Sequence, residues 1–238
     1  MHMNTTIILI ILLMIILIST CFYVRADQKQ ISTFDNSGSI TIPGYADITD
    51  PYDYPFLLHK LITLDDCQKI INISGNKLVE SEVIGGNHKH IRNSKQCWIQ
   101  KNNPLVKPIF ETISRKFGIP FENAEDLQVV RYQPNQYYNE HHDSCCDNND
   151  KCNTFVNKSG QRILTVLIYL NNEFSGGYTY FKNLDLKIKP VTGDAIVFFP
   201  LAKNSNKCHP YALHAGIPVA KGEKWIANLW FREHKFTY

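Results

Sequence analysis

The feature that most constrains this chain is a succession of short apolar segments that begins near residue 126 and continues almost to the end. Residues 127–133 alternate apolar and polar side chains. Residues 162–171 form a near-continuous β-branched run, and residues 194–200 and 224–231 repeat the theme. Turn sequences separate them: Gln133-Pro134-Asn135, Ser175-Gly176-Gly177, Thr192-Gly193-Asp194 and Lys221-Gly222-Glu223. Strands this short bury their apolar faces only by stacking sheet on sheet, so the pattern predicts a jelly-roll sandwich or barrel. Two helices are expected upstream. One runs from Leu64-Asp65-Asp66 to about Glu80; the other runs from Pro104 to Phe117, where Gly118 stops it. The expected class is mainly β with flanking helices (α+β), on a double-stranded β-helix core.

The chain has 238 residues, and its organisation reads in three parts. Residues 5–24 carry no charge and are close to the ~20 residues that span a bilayer. Residues 1–26 therefore read as a retained signal anchor, or as a signal peptide cleaved near Val24-Arg25-Ala26. Residues 27–55 are polar, with Gly and Pro, and read as a linker; residues 56–238 form one catalytic-sized domain. Arg25 and Lys29 follow the apolar run, which for a retained anchor favours a cytosolic domain. The cysteines point the other way. Six lie beyond the apolar run (Cys67, Cys97, Cys145, Cys146, Cys152 and Cys208), an even number that suits an oxidising compartment. Asn72 and Asn157 head glycosylation sequons. The expected location is the lumen of the endoplasmic reticulum or the secretory pathway. A net charge of +3 gives no reason to expect nucleic acid as a partner.

The chemistry concentrates at Tyr137-Tyr138-Asn139-Glu140-His141-His142-Asp143. On a strand, residues two apart share a face, so His141 and Asp143 would point together and His142 away. His214, in Ala212-Leu213-His214-Ala215-Gly216, is the natural third ligand from a distant strand. Two imidazoles and one carboxylate make the facial triad of non-haem Fe(II) oxygenases, which leaves open positions for an oxoacid and O2. Ten residues on stands Lys224. An oxoacid chelating the metal would bury a distal carboxylate, which needs a cationic hydrogen-bonding partner, and Lys224 would supply it.

These motifs occur in an order that resembles the collagen-type prolyl 4-hydroxylases. The matching pieces are Arg131-Tyr132 through Tyr138 to His141 and Asp143; Gly160-Gln161-Arg162; Phe174-Ser175-Gly176-Gly177 through Thr179 to Phe181; Gly193-Asp194-Ala195 to Phe199; and His214-Ala215-Gly216 through Lys224-Trp225 to Trp230. The resemblance runs from about Asp65 to the C-terminus. It implies Fe(II) on His141, Asp143 and His214, and 2-oxoglutarate held by Lys224 with Tyr132 and Thr179 as hydroxyl partners. It also implies a peptide groove lined by Tyr138, Arg162 and Trp230. The implied reaction turns a peptidyl proline, O2 and 2-oxoglutarate into 4-hydroxyproline, succinate and CO2, with ascorbate as reductant of stray ferric iron. A proline-rich or collagen-like peptide in polyproline II form would be the substrate.

The insert Cys145-Cys146-Asp147 to Cys152 departs from the general family pattern, and its connectivity is not deducible from the sequence. Two other readings stand beside the first. A lysyl or other peptidyl side-chain hydroxylase would keep the triad, although such relatives commonly use Arg where Lys224 stands. A non-catalytic cupin-like binding module would have no need of the intact triad and lysine.

Overall fold

The computed structural model of the chain describes residues 44–83, 89–147 and 149–237. The uncharged segment at residues 5–24, with the signal or anchor it suggests, lies outside them. Among the described residues no helix is long and apolar enough to cross a membrane.

In chain order the strands are β1 (Phe56–Leu58), β2 (Val79–Glu80), β3 (Lys95–Ile99), β4 (Leu127–Tyr132), β5 (Tyr138–His141), β6 (Arg162–Tyr169), β7 (Ser175–Gly176), β8 (Thr179–Phe181), β9 (Leu186–Ile188), β10 (Ala195–Phe198), β11 (His214–Gly216), β12 (Val219–Lys221) and β13 (Lys224–Arg232). The helices are α1 (Leu64–Gly75), α2 (Lys107–Phe117) and α3 (Asp150–Ser159). A seven-stranded sheet has the order β1-β10-β6-β13-β4-β3-β2, and a four-stranded sheet the order β5-β11-β8-β9. The strands pair antiparallel throughout both sheets. This is the jelly-roll expected from the strand pattern.

The large sheet is buried on both faces, which explains why its central strands read as continuous apolar runs. Leu127, Val129, Leu164, Val166, Ile168, Ala227, Leu229 and Phe231 share one cluster with Ile70 of α1 and Phe110 and Ile113 of α2. The alternate residues Val130, Tyr132, Leu167, Tyr169 and Ile226 pack with Phe181 of the small sheet and with Val219. Along β13 this alternation sends Lys224, Ile226, Asn228 and Trp230 toward the small sheet. The same face therefore carries both the apolar filling and the polar groups of the site.

Three boundaries differ from expectation. Thr63 caps α1, its hydroxyl accepting from the Asp66 amide at 3.0 Å. The helix ends at Gly75-Asn76 rather than near Glu80, because Val79 and Glu80 are drawn into β2, opposite Gln96 and Lys95. Helix α2 starts at Lys107, since residues 104–106 form a turn, and it ends where Gly118 takes a left-handed φ of 66°. From Gly44 onward, the stretch read as linker is stitched to residues 200–211. The Ala46 amide donates to the Cys208 carbonyl at 2.9 Å, the Cys208 amide to that of Gly44 at 3.1 Å, and the Tyr52 ring stacks on His209 at 4.3 Å. Polar composition hid this, because the attachment uses backbone groups and rings rather than an apolar face.

Two disulfides join Cys145 to Cys152 and Cys146 to Cys208. The remaining two cysteines of the described residues, Cys67 and Cys97, are buried free thiols, so the even count did not mean three bridges.

Candidate active site

β5 and β11 are neighbours in the small sheet, and the pairing puts His214 directly opposite His141. Their rings lie 4.2 Å apart. Asp143 does not sit on the strand as the alternation argument supposed, since β5 ends at His141. It reaches the same point from irregular backbone and is held there by side chains of the large sheet. Its Oδ2 accepts from the Thr165 hydroxyl at 2.7 Å and from the Trp230 indole N–H at 3.0 Å. That leaves Oδ1 facing the Nε2 atoms of His141 and His214, at 3.7 and 3.9 Å.

The histidines are oriented by the same logic. His141 Nδ1 lies 2.8 Å from the Asn139 carbonyl and His214 Nδ1 lies 2.9 Å from the Ala212 carbonyl. A carbonyl can only accept, so each Nδ1 carries the proton and each Nε2 presents its lone pair to the centre. Burial drives His141 well below the ordinary histidine range, which keeps that imidazole neutral. Burial opposes ionisation of Asp143, but its interactions with the His214 and His141 rings, the Arg162 guanidinium and the Trp230 N–H outweigh it and bring the carboxyl to about 2. Two imidazoles and one carboxylate, with ligand atoms within 4.8 Å of one another, suit a divalent ion of the Fe(II) class.

The triad opens on a cleft of about 630 Å³ whose lining includes Lys224, Tyr132 and Thr179 on one side and Arg162, Trp230 and Tyr138 on another. Lys224 is 2% exposed and makes no ion pair with a carboxylate among the described residues. Burial lowers its ammonium to about 7, with the Lys189 charge adding to the effect. Its Nζ lies 5.4 Å from the Tyr132 ring and 5.1 Å from the Tyr169 ring. Tyr169 itself was not foreseen; its hydroxyl meets the Thr179 hydroxyl at 2.8 Å. A buried cation between two tyrosine rings, paired with no carboxylate among the described residues, fits the distal carboxylate of an oxoacid.

The other side of the cleft is more tightly bound than expected. Arg162 opens β6 with its side chain mostly covered. Its guanidinium grips Glu125 through two hydrogen bonds of 2.7 and 2.8 Å and lies 3.5 Å over the Trp230 ring. Arg232 adds a third bond to Glu125 at 2.7 Å. Burial raises the Glu125 carboxyl, yet the two guanidiniums win and hold it below its usual range. Glu125 was missed because an acidic residue beside Glu122 and Asp126 in the polar approach to a strand carries no signal of its own. Tyr138 stacks on His141 at 3.5 Å, and Arg92 lies 4.7 Å from the Tyr138 ring.

A jelly-roll that holds two histidines and a carboxylate, with a buried lysine in the same cleft, defines an Fe(II)/2-oxoglutarate oxygenase. The comparisons agree. Residues 127–232 match the model of the 2OG-Fe(II) oxygenase superfamily. The chain is 63% identical over 215 residues to a protein of Acanthamoeba polyphaga mimivirus named "Putative prolyl 4-hydroxylase", covering 87% of this chain and 89% of that one. It is 32% identical to prolyl 4-hydroxylase 2 of Arabidopsis thaliana, over 76% of this chain and 68% of that one. Among solved structures it resembles the viral collagen prolyl hydroxylase of Paramecium bursaria Chlorella virus-1 in complex with 2-oxoglutarate. The TM-score is 0.60 and the identity 33%, covering 75% of this chain and 95% of that one. The chain belongs to the prolyl 4-hydroxylase family of the 2OG-Fe(II) oxygenase superfamily, and is a 2-oxoglutarate-dependent dioxygenase of that kind.

Proposed function

We propose that the chain hydroxylates peptidyl proline at C4, using Fe(II), O2 and 2-oxoglutarate and releasing succinate and CO2. The observation that supports this best is the single cleft that joins the His141–Asp143–His214 cluster to the uncompensated Lys224. His141, Asp143 and His214 would hold the iron, which supplies the redox chemistry that couples decarboxylation of the oxoacid to C–H oxidation. Lys224 would bind the distal carboxylate, with the Tyr132 and Thr179 hydroxyls as further donors and Tyr169 fixing the Thr179 rotor. The buried setting strengthens that contact by excluding water. Tyr138, Trp98 and Trp230 present aromatic surface toward an entering chain, which suits a proline-rich segment in polyproline II form. Arg162, already bound to Glu125, would act by pinning the Trp230 ring rather than as a free donor to the peptide.

Ascorbate as reductant belongs to this proposal, as does a collagen-like or proline-rich partner. Residence in the secretory lumen belongs to it too, supported by the two disulfides, which persist in oxidising compartments.

Incubation with Fe(II), 2-oxoglutarate and a proline-rich peptide tests the reading, with succinate release and peptide mass as readouts. Stoichiometric succinate with one oxygen added at proline is expected. Oxygen added at lysine would replace it with the lysyl-hydroxylase reading. No turnover with iron supplied would favour a binding module.

A further inference from the structure

A second cluster of metal-ligating side chains stands beside the triad. A nitrogen of His142 and the sulfurs of Cys146 and Cys208 lie within 4.8 Å of one another. In this structure the two sulfurs are joined as a disulfide. We propose that reduction of the Cys146–Cys208 bond opens a second metal site, made of the His142 imidazole and two thiolates, which takes a thiophilic divalent ion such as Zn(II).

Geometry and chemistry both support the assignment. The three donor atoms come from two distant stretches of the chain, residues 142–146 and Cys208, and already converge. An imidazole with two thiolates is a ligand set that Zn(II) takes, once reduction frees the two cysteines. The backbone around them is held independently of the bond. Cys208 is fixed by the Gly44 carbonyl and the Ala46 amide, and Cys145, next to Cys146, by the side chain of Gln161. His142 follows the end of β5 directly, and its Nδ1 is buried with no hydrogen-bond partner among the described residues. The donor set differs in kind from the triad. Two sulfurs select softer ions, whereas the triad's two nitrogens and one oxygen suit Fe(II). The disulfide thus keeps a zinc-preferring site closed next to an iron-preferring one.

The reduction balances with a phosphine in water. The S–S bond breaks, each sulfur gains a hydrogen, and the phosphine becomes a phosphine oxide with oxygen drawn from water. Metal binding then releases the two thiol protons.

Titration of the full chain with Co(II) under anaerobic conditions, before and after phosphine treatment, tests the proposal. The oxidised chain should bind one ion with no thiolate-to-cobalt absorption. The reduced chain should bind a second ion and gain that absorption. His142→Ala should weaken the second ion by more than about tenfold, the lower bound for loss of even an outer-layer partner, and leave the first ion unchanged. Cys146→Ser/Cys208→Ser should abolish the absorption after reduction. No second ion in the reduced wild-type chain would overturn the proposal. So would absorption that persists in the double variant, which would assign it to the other thiols. If the double variant fails to fold, His142→Ala decides the matter: a second ion bound as tightly there as in the reduced wild-type chain would assign it to the other thiols and overturn the proposal. Failure of the first ion to bind the oxidised chain would instead count against the triad and leave this inference standing.

Discussion

Asp143 is the residue at which the site is most exposed to a single substitution. It lies off the strand, and among the described residues its carboxylate is aimed by the Thr165 hydroxyl and the Trp230 N–H. Trp230→Phe keeps the ring under Arg162 but removes one of those donors. The expected result is about 10- to 100-fold weaker metal binding, as for other partners in the layer behind a ligand, with the peptide KM little changed. A titration with Fe(II) or Mn(II) alongside peptide kinetics separates this from a groove role, in which the peptide KM alone would rise. His214→Ala should abolish coupled turnover, and near-normal succinate release would disprove its place as a ligand. At this scale the sequence was legible where a residue type is chemically rare in its setting. A histidine in Ala-Leu-His-Ala-Gly and a lysine opening an apolar strand both stand out. Thr165 and Tyr169 do not, because a threonine and a tyrosine inside a β-branched run look like ordinary strand formers. Only the pairing across sheets shows that one hydroxyl faces Asp143 and the other faces Thr179.

Among the elements, strands were easier to foresee than their partners or ends. Alternation marks a strand from its own residues, whereas α3 lies in a polar, cysteine-bearing insert with little apolar period. It forms because Asn149 caps it, accepting from the Cys152 amide at 2.9 Å, and because the Cys145–Cys152 bridge closes its first turn. The turn before β10 shows an element fixed by one position. Gly193 has a φ of 88°, and a Cβ there would come within 2.5 Å of the Ile62 carbonyl. The same turn docks the approach to α1, since the Ile62 amide donates to the Gly193 carbonyl at 3.3 Å and the Lys60 amide to Asp194 at 2.8 Å. Gly193→Ala should therefore cost about 1–3 kcal/mol of stability, read as a lower urea midpoint with an unchanged slope. A neutral substitution would show that the turn can relax away from Ile62.

At the scale of the whole molecule, Lys224 links folding, proton uptake and ligand binding. Its ammonium is ordinary in the unfolded chain, near 10.5, and falls to about 7 in the folded, ligand-free chain. Between those values the unfolded chain holds a proton that the folded chain does not. The unfolded state then binds more protons, so this group makes stability rise with pH from about 7 to about 10.5, and burying the charge costs stability below that window. A dicarboxylate in the cleft reverses the balance, because it pairs with the ammonium and draws the pKa back up. Binding of 2-oxoglutarate must then take up a proton above about pH 7. Its affinity should fall as pH rises from there, approaching tenfold per unit. Calorimetry of the Mn(II)-loaded chain without O2, between pH 7 and 9 and in buffers of different ionisation enthalpy, measures both the affinity and the proton taken up. Lys224→Met should bind weakly at every pH and take up none. A flat affinity over this range in the unsubstituted chain would place the oxoacid's carboxylate on another group, and would leave the buried lysine without the anion its surroundings lack.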